Sequence, residues 1–318
     1  MTHSAAKRVT PGPKPDWLKV PLPHGPVTAN LSKLLRERGL HTVCEEARCP
    51  NMGECWAGGT ATFMLLGDVC TRGCRFCAVK THRNGVPVDE AEPEKVADAI
   101  AAMKLRYVVL TMVDRDDLSD GGADHFARTI QAIKRRDADI LVEALTGDFQ
   151  GRTDDLAALL AGAPDVFAHN VETVERLTKR VRDYRCDYAL SLQMLREAKR
   201  LRPGVVTKSS LMLGLGETDR ELDQAMDDLR AHDVDVVTFG QYLRPTLKHL
   251  PVAEHVPPPR FKALEQRAMR KGFLYCASGP LVRSSYKAAE FYIEGMLRRR
   301  NADTPHAAKA TEATSENT

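Results

Sequence analysis

Three cysteines in one short stretch, Cys70, Cys74 and Cys77, are the residues of this 318-residue chain whose types and spacing indicate chemistry most directly. They form a C-x3-C-x2-C motif directly after a predicted strand. This spacing lets three thiolates converge from one loop on an iron–sulfur cube and leaves one iron without a protein ligand, as a reactive cluster requires. A structural zinc site is the alternative, but such sites usually use C-x2-C pairs and four protein ligands.

Three further cysteines, Cys44, Cys49 and Cys55, precede that strand in a C-x4-C-x5-C pattern. Alone this pattern is weak, because free cysteines often lie in hydrophobic cores. Beside the first motif it predicts a second cluster, for which only three thiolates are supplied nearby. Either of the two isolated cysteines, Cys186 and Cys276, could in principle supply a fourth ligand.

Composition and charge exclude several classes of protein. The N-terminus has no apolar segment of the kind that a secretory signal needs, so we expect a cytoplasmic, reducing location where clustered cysteines bind metal rather than form disulfides. No run of about 18 apolar residues predicts a membrane span. The formal net charge of +3 comes from the two ends of the chain and leaves the body at −1, which predicts no nucleic-acid-binding face.

Between these ends, short β-rich runs alternate with amphipathic helical segments, which predicts an α/β fold. The predicted strands cover 61–69, 107–113, 140–145, 166–172, 206–213 and 236–243, and the predicted helices cover 94–103, 124–135, 173–181, 189–200 and 218–231. At this length, six strand–helix alternations predict a partial (β/α)6 TIM-like barrel of parallel strands with N- and C-terminal extensions. Loops at the carboxyl ends of its strands would carry the chemistry.

The segment CTRGCRFC, residues 70–77, resembles the motif of the radical S-adenosylmethionine (SAM) superfamily. This resemblance implies that the open iron of a 4Fe–4S cluster chelates SAM. An electron from the reduced cluster would then cleave SAM to methionine and a 5′-deoxyadenosyl radical. Such a radical abstracts hydrogen from unactivated carbon, which no side-chain base can do, so the cofactor carries the difficult step.

Further segments are similar to one family within this superfamily, the lipoyl synthases. They are CPNMGECW (49–56), VDRDDLSDGGADHF (113–126), HNVETVERL (169–177), TKSSLMLGLGET (207–218), GQYLRPTLKHLPV (240–252) and SGPLVRSSYKA (278–288). In that family a serine of the RSSY motif is the fourth ligand of an auxiliary cluster. The resemblance therefore implies that Ser285 is a metal ligand and a catalytic residue. Arg283 beside it could orient the cluster ligand or the peptide substrate.

The resemblance implies a specific reaction, in which two sulfur atoms are inserted at C6 and C8 of an octanoyl chain attached to a lysine of a carrier domain. Two 4Fe–4S clusters and SAM are the implied cofactors. The implied ligands are Cys70, Cys74 and Cys77 for the SAM cluster, and Cys44, Cys49, Cys55 and Ser285 for the auxiliary sulfur donor. The implied partners are octanoylated lipoyl domains of 2-oxoacid dehydrogenases or the glycine-cleavage H protein, with a flavodoxin- or ferredoxin-type reductant. Neither nucleic acid nor membrane is expected.

Two other interpretations of the cysteine pattern compete with this function. Another two-cluster radical SAM enzyme, such as a methylthiotransferase, would fit the cysteines, but no residues remain for the added RNA-binding domain that it would need. From a different class, a zinc-bound structural or adaptor protein would keep the cysteines but would not need the predicted barrel. The colour of the anaerobically purified protein separates these classes, because iron–sulfur protein is brown and zinc protein is colourless.

Composition and the resemblance together divide the chain into four parts. They are a Pro-rich N-terminal arm (1–30), an auxiliary-cluster segment (31–60), a radical SAM partial barrel with the C-terminal RSSY ligand segment (61–297), and a tail predicted to be disordered (298–318). Four polar residues near the predicted strand ends are candidate SAM contacts: Asp114, Asp116, Glu143 and Asn170. For each of them, a solvated loop carboxylate or a satisfied capping group is an equally plausible interpretation.

Overall fold

The computed structural model describes residues 13–19, 32–33, 35–46, 49, 51–57, 60–284, 293 and 295. The predicted tail, most of the predicted Pro-rich arm and the predicted ligand Ser285 lie outside the described residues. In the part of the chain that is described, no helix is both long enough and apolar enough to cross a membrane.

Strands and helices alternate along the described chain, as a parallel α/β fold requires. The strands are β1 (His41–Thr42), β2 (Thr60–Leu65), β3 (Val69–Cys70), β4 (Lys80–Thr81), β5 (Tyr107–Met112), β6 (Leu141–Leu145), β7 (Val166–Ala168), β8 (Val206–Leu213), β9 (Val236–Gln241) and β10 (Tyr275–Gly279). The helices are α1 (Val43–Glu46), α2 (Met52–Ala57), α3 (Glu92–Met103), α4 (Ala123–Arg136), α5 (Thr153–Leu160), α6 (Thr178–Val181), α7 (Tyr188–Leu201), α8 (Asp219–Ala231) and α9 (Pro258–Arg270).

Eight of these strands form one sheet in the order β1-β2-β5-β6-β7-β8-β9-β10. All neighbours from β2 to β10 are parallel, and β1 pairs with β2 in the antiparallel sense. Among the described residues β10 does not pair with β1 or β2, so the sheet is an open barrel. The predicted partial barrel is confirmed, with β10 as a seventh parallel strand that the prediction lacked.

Alternate residues of the parallel strands face opposite sides of the sheet, because side chains alternate along a strand. One apolar cluster fills the lumen, and its strand members include Tyr107, Val109, Leu141, Val166, Val206 and Val236. The intervening residues pack against the surrounding helices in the main core, and they include Phe63, Leu110, Phe167 and Phe239. The lumen is therefore a packed interior whose shape the strand residues set.

The lumen also contains a fully buried ion pair. Lys208 Nζ donates to both carboxylate oxygens of Glu143 at 2.8 Å, and the Tyr107 hydroxyl donates to Glu143 Oε2 at 2.7 Å. The exposed fractions of the Lys208 and Glu143 side chains are 1% and 0%. Removing one partner of such a pair typically costs about 3–5 kcal/mol, because the other charge stays buried without compensation.

The two edges of the open sheet are joined by segments outside the barrel repeat. The Asn51 side-chain amide, just before α2, donates to the Leu281 carbonyl, just after β10, at 2.7 Å. Gly240 of β9 lets the chain after Leu281 lie close against the sheet, because a Cβ at this position would lie 2.1 Å from the Val282 carbonyl oxygen. Val282 itself packs into the lumen cluster. The chain around α2 and the chain after β10 thus meet across the opening.

His169 connects the ends of β6 and β7 to α7. One ring nitrogen lies 2.8 Å from the Thr146 carbonyl oxygen and the other lies 3.0 Å from the Ser191 hydroxyl. Burial, together with the nearby Arg182 guanidinium, lowers the pKa of His169 from its usual 6.5 to about 4. The imidazole is therefore neutral in the folded protein at neutral pH.

This lowered pKa predicts a loss of stability in acid. The unfolded chain takes up a proton at His169 as the pH falls through 6.5, whereas the folded chain resists protonation down to about pH 4. The stability that the neutral His169 contributes is fully present above pH 6.5. It is lost as the pH falls from 6.5 to 4, at about 1.4 kcal/mol per pH unit. We expect His169→Gln to weaken the pH dependence of the free energy of unfolding in urea between pH 6.5 and 4. His82→Gln, at an exposed position, is the control. An equally steep profile for His169→Gln would contradict this role.

Candidate functional site

The C-x3-C-x2-C loop lies at the carboxyl edge of the barrel, where β3 ends at Cys70. Its backbone is held by the loops that follow β5, β7 and β9. The contacts are Thr71 N–H to the Asp114 carbonyl (2.9 Å), Arg75 N–H to the Val181 carbonyl (2.9 Å) and Leu250 N–H to the Arg75 carbonyl (3.2 Å). The sequence therefore places three thiols at the edge where a barrel enzyme carries its active site.

Arg72, between the first two cysteines of the loop, is the centre of a buried ion network. Its Nη1 and Nη2 donate to the two carboxylate oxygens of Asp148, each at 2.7 Å. Its Nε and Nη2 donate to Asp116 at 3.0 and 2.8 Å. Bidentate pairing of this kind gives the guanidinium N–H groups hydrogen-bond acceptors and offsets the free-energy cost of removing the charge from water. Asp116 follows β5 and Asp148 follows β6, so Arg72 fixes the loop to two strand ends.

A second arginine extends this network around the loop. Arg185 Nη1 donates to Asp116 at 3.0 Å, its Nη2 donates to the Thr71 carbonyl at 2.6 Å, and its Nε donates to Asp183 at 2.8 Å. The Gly73 N–H donates to the other oxygen of Asp183 at 2.7 Å. Burial alone would raise the pKa of Asp183, but these hydrogen bonds outweigh it and lower that pKa to about 2. Asp183 is thus a carboxylate that clamps the loop backbone.

The three cysteines of the loop are free and half-buried. Burial, with a smaller effect of the Asp114 carboxyl, raises the pKa of Cys70 to about 12. Contact with the Cys186 thiol and burial raise the pKa of Cys74, and burial raises that of Cys77. The thiols hold their protons without a metal, so binding of a metal centre must release protons.

The three sulfurs of the loop are not gathered around a single metal position. Three thiolates on one zinc ion would lie about 3.8 Å apart, since each Zn–S bond is about 2.3 Å long. Among the described residues, the group whose three candidate ligand atoms all lie within 4.8 Å of one another is His41, Glu46 and Asp68. The three loop sulfurs do not meet this spacing.

A second group of thiols lines a small cavity beside β2. The lining residues are Cys44, Cys49, Asn51, Cys55, Thr60, Ala61, Thr62 and Arg283. Three thiols around one cavity are a donor set suited to an iron–sulfur cluster. Arg283 reaches this cavity from the segment after β10, where its Nη1 donates to the Val282 carbonyl at 2.8 Å. Burial lowers the pKa of Arg283, and Cys49 acts in the opposite direction.

The two isolated cysteines do not line this cavity. Cys276, on β10, packs into the main core, and burial raises the pKa of its thiol. Cys186 lies at the other cysteine loop, where its sulfur is 3.6 Å from Arg72 Nη1. Neither is placed to complete the second triplet, and the predicted ligand Ser285 lies outside the described residues.

Two of the predicted SAM contacts, Asp114 and Asp116, lie beside the cysteine loop. Asp114 Oδ2 is 3.9 Å from Cys70 Sγ, and its carboxyl packs directly on Gly147, where a Cβ would lie 2.2 Å from Oδ1. Burial raises the pKa of Asp114 to about 6, although the nearby Arg72 opposes this shift. Asp116 is instead engaged by Arg72 and Arg185. Asp114 is held less tightly, with its Oδ1 3.8 Å from Arg72 Nη1, so of the two it is the carboxyl less engaged by the arginines.

The other two predicted SAM contacts lie at different depths. Both carboxylate oxygens of Glu143 are occupied by Lys208 inside the lumen. The Asn170 side-chain amide, after β7, donates to Glu172 at 3.1 Å. Burial raises the pKa of Glu172. The structure thus groups Asn170 with a buried carboxyl that sequence reasoning did not single out.

The residues that hold the cysteine loop were missed by sequence reasoning, and they are Arg72, Asp148, Asp183 and Arg185. Arg72 lies inside the cysteine motif, which is a signal that could have been used. Its partner Asp148 is 76 residues away, so that pairing depends on the fold. No local pattern marks such a partner in a single sequence.

Two family models match the chain. The radical SAM superfamily matches residues 64–229. The N-terminal domain of lipoyl synthase of the radical SAM family matches residues 6–49. The first match covers the cysteine loop and most of the barrel, and the second includes two cysteines of the cavity, Cys44 and Cys49.

Relatives that are similar over most of their length show the family of this chain. The chain is 58% identical over 293 residues to mitochondrial lipoyl synthase of Yarrowia lipolytica, covering 91% of this chain and 84% of the relative. The chain belongs to the lipoyl synthase family. The mitochondrial lipoyl synthases of Emericella nidulans and Neurospora crassa are 56% and 55% identical, over 93% and 94% of this chain and 73% and 72% of theirs. The chain is therefore a radical SAM sulfur-inserting enzyme, with SAM and a 4Fe–4S cluster as cofactors and lipoyl domains as the class of substrate.

Solved structures agree on the fold. Methylornithine synthase aligns with a TM-score of 0.53 at 15% identity, over 78% of this chain and 74% of that one. A maturase of the FeFe-hydrogenase aligns with a TM-score of 0.53 at 14% identity, over 78% and 62%. At these identities the likeness concerns the open barrel alone.

The relatives correct one prediction. A cytoplasmic location was expected because the N-terminus lacks an apolar signal segment, and this expectation is wrong. The lipoyl synthases that are 55–58% identical to this chain are named as mitochondrial, which points to mitochondria. The physical reason for the error is that the absence of a secretory signal excludes only export, since transit peptides are amphipathic rather than apolar.

Arg72→Lys tests the ion network at the cysteine loop. Lysine keeps the charge but cannot make the two-pronged contact with Asp148, so a buried carboxylate loses hydrogen bonds. We expect the free energy of unfolding in urea to fall by about 2–4 kcal/mol and SAM cleavage to fall with it. Arg83→Lys, at an exposed position in the chain after β4, is the matched control. Equal stability and activity of the two variants would show that Arg72 does not hold the loop.

Proposed function

We propose that this lipoyl synthase works with two clusters in two separate places, and that sulfur is supplied from the second. The SAM cluster would be held by Cys70, Cys74 and Cys77 at the carboxyl edge of the barrel. The auxiliary cluster would be held by Cys44, Cys49, Cys55 and Ser285 at the cavity beside β2. The observation that carries the proposal is the composition of this cavity, which brings together a cysteine triplet from before the barrel and Arg283 from after it.

The chain itself supports Ser285 as the fourth ligand. Arg283 lines the cavity, and Ser285 is two residues further on. Two residues span at most about 7 Å, so chain connectivity allows Ser285 to reach the same cavity. The bond from Asn51 to the Leu281 carbonyl, at 2.7 Å, anchors the C-terminal segment from the other side. An oxygen donor is harder than thiolate and binds iron–sulfur clusters less tightly, which suits a site that must give up sulfur.

At the other site, the loop with Cys70, Cys74 and Cys77 would hold and position the SAM cluster. When bound, that cluster supplies the electron that cleaves SAM and starts hydrogen abstraction from carbon. Arg72 and Arg185 hold the loop, so they are positioning residues that act through the cysteines. The half-exposed Asp114 carboxyl beside Cys70 would accept a hydrogen bond from the amino group of SAM.

The remaining predicted SAM contacts have different roles in this proposal. Asn170 would contact SAM through its amide, which the buried Glu172 orients. Asp116 would act through Arg72 rather than on SAM. Glu143 would stabilise the barrel beneath the SAM site rather than contact SAM, because Lys208 and Tyr107 occupy its carboxylate. These assignments rest on the position of each side chain relative to the strand ends.

The substrate explains why a radical is needed. The C6 and C8 carbons of an octanoyl chain are far from any carbonyl, so their hydrogens have no usable acidity and no side-chain base can remove them. The chain must therefore bring these carbons to the SAM site for hydrogen removal and to the cavity for sulfur.

Charge around the cysteine loop supports the proposed protein partners. Arg75, Lys179, Arg180 and Lys248 are exposed on the loops that hold the cysteines. Opposite charge steers encounters between proteins. Acidic surfaces, such as those expected of flavodoxin- or ferredoxin-type reductants and of octanoylated lipoyl domains or H protein, would be attracted to this edge.

Two adjacent serines provide a matched test of the auxiliary site. Ser285→Ala removes the proposed oxygen ligand, so we expect loss of the dihydrolipoyl product while SAM cleavage to 5′-deoxyadenosine continues. Ser284→Ala changes the neighbouring hydroxyl and is expected to keep both. Cys70→Ala is expected to stop both reactions. The readout is mass spectrometry of an octanoyl-lysyl peptide and of deoxyadenosine after anaerobic incubation with SAM and dithionite.

Two results would contradict the separation of roles. One is loss of SAM cleavage in Ser285→Ala, which would mean that the RSSY serine serves the first cluster. The other is full lipoyl product from Ser285→Ala with loss of product in Ser284→Ala, which would move the ligand to Ser284.

A further inference from the structure

Arg283 places a cation among the thiols of the cavity beside β2. It lines this cavity together with Cys44, Cys49 and Cys55. The three cysteines come from the chain before β2, whereas Arg283 follows β10. A guanidinium keeps its positive charge at every pH at which proteins work. The cavity therefore combines three groups that become anions when they bind a metal centre with one permanent cation.

Backbone contacts of the chain after β10 fix the position of this cation. The Leu281 carbonyl accepts a hydrogen bond at 2.7 Å from the side-chain amide of Asn51, which also lines the cavity. Val282 packs into the lumen, and its carbonyl accepts a bond from Arg283 Nη1 at 2.8 Å. The Gln241 carbonyl oxygen lies 3.4 Å from the same nitrogen. The guanidinium is thus held at the wall of the cavity by its Nη1 end.

Among the described residues, no carboxylate neutralises Arg283. Both acceptors of Nη1 are uncharged carbonyl groups, and neither Nε nor Nη2 has a hydrogen-bond partner in that part of the chain. By contrast, Arg72, Arg115 and Arg185 are each paired with an aspartate. A charge that is partly removed from water costs free energy unless an anion pairs with it. An anionic group in the cavity would supply the missing partner.

The proposed function puts such a group there, since thiolates that hold a cluster bring negative charge to the cavity. The reduction potential of an iron–sulfur cluster depends on its net charge and on hydrogen bonds to its sulfurs. We propose that Arg283 is the counter-cation of the auxiliary cluster and raises its reduction potential. It is a positioning residue that acts through its charge and its N–H donors, not a ligand. This inference rests on the proposed auxiliary site.

The electron count of sulfur transfer gives this charge a purpose. A carbon radical brings one electron to a new C–S bond and a sulfide brings two, but the bond holds only two. The third electron stays on the iron of the donor and makes the site more negative. A cation at the cavity stabilises this state, so Arg283 makes the transfer of sulfur more favourable.

The auxiliary site can be measured alone in the full-length chain that carries Cys70→Ala, Cys74→Ala and Cys77→Ala. This chain is loaded with iron and sulfide, and the midpoint potential is measured by a redox titration followed by electron paramagnetic resonance. Iron content reports separately whether a cluster is bound. Absence of a cluster while Arg283 is intact would contradict the proposed auxiliary site, on which the role of Arg283 depends.

Three substitutions in this chain separate charge from packing. Arg283→Met removes the charge and keeps a long side chain, so we expect the reduction equilibrium to shift by about tenfold, which lowers a one-electron potential by about 59 mV. Arg283→Lys keeps the charge and is expected to retain most of the potential. Arg270→Met, at an exposed position at the end of α9, is the control and is expected to change nothing.

The outcomes decide between a charge and a structural role. An unchanged potential in Arg283→Met would overturn the proposal, and so would an equal fall in Arg283→Lys. If Arg283→Met takes up no cluster, the lysine variant decides. A loaded cluster in Arg283→Lys would then support the role of the charge. Loss of the cluster in both variants would show that the arginine serves packing, which contradicts the proposal.

Discussion

Arg72 carries its positive charge inside the protein, between two of the cysteines that are proposed to hold the SAM cluster. Its side chain is 2% exposed and is paired with the fully buried Asp148 at 2.7 Å. A buried cation is tolerated only with such partners, so the ends of β5 and β6 must present carboxylates to the loop. The same requirement holds the loop in place, because any shift of the loop would separate charges that water cannot solvate. Asp183 and Arg185 extend this constraint to the chain after β7.

The open barrel then separates two sites. Seven parallel strands place Cys70, Cys74 and Cys77 at their carboxyl edge. The sheet is open between β1 and β10, and the other cysteine triplet lines the cavity beside β2. Segments before and after the barrel repeat meet there through the bond from Asn51 to the Leu281 carbonyl. The proposed function, in which hydrogen is removed in one place and sulfur is added in another, would use these two separate groups of thiols.

Much of this fold could be predicted from the sequence. The β-branched runs of β5, β8 and β9 and the helices between them have strong periodicity, so their positions were predicted to within a few residues. By contrast, β10 reads YCASG, whose small residues have low β-propensity, and it becomes a strand by pairing with β9. The helix α5 spans only Thr153–Leu160, and α9 begins with two prolines, so neither gave a clear signal.

The candidate site was predictable only in part. Cysteine spacing is local, so both triplets are visible in the sequence. The carboxylates that hold Arg72 depend on which strand ends become neighbours, and that information is not local. Glu143 shows the same limit: its place at a strand suggested a ligand contact, but the register with β8 brings it to Lys208 in the lumen.

The origin of the inserted sulfur tests the account most directly. The chain would be loaded with iron and with sulfide enriched in a heavy sulfur isotope, then freed of unbound sulfide. A single round of reaction with SAM, dithionite and an octanoyl-lysyl peptide would follow, in a medium that contains light sulfide. The account predicts a dihydrolipoyl peptide that carries two heavy sulfur atoms, with two molecules of 5′-deoxyadenosine per product. Light sulfur in the product would show that sulfur comes from solution and would contradict a donor held by the chain.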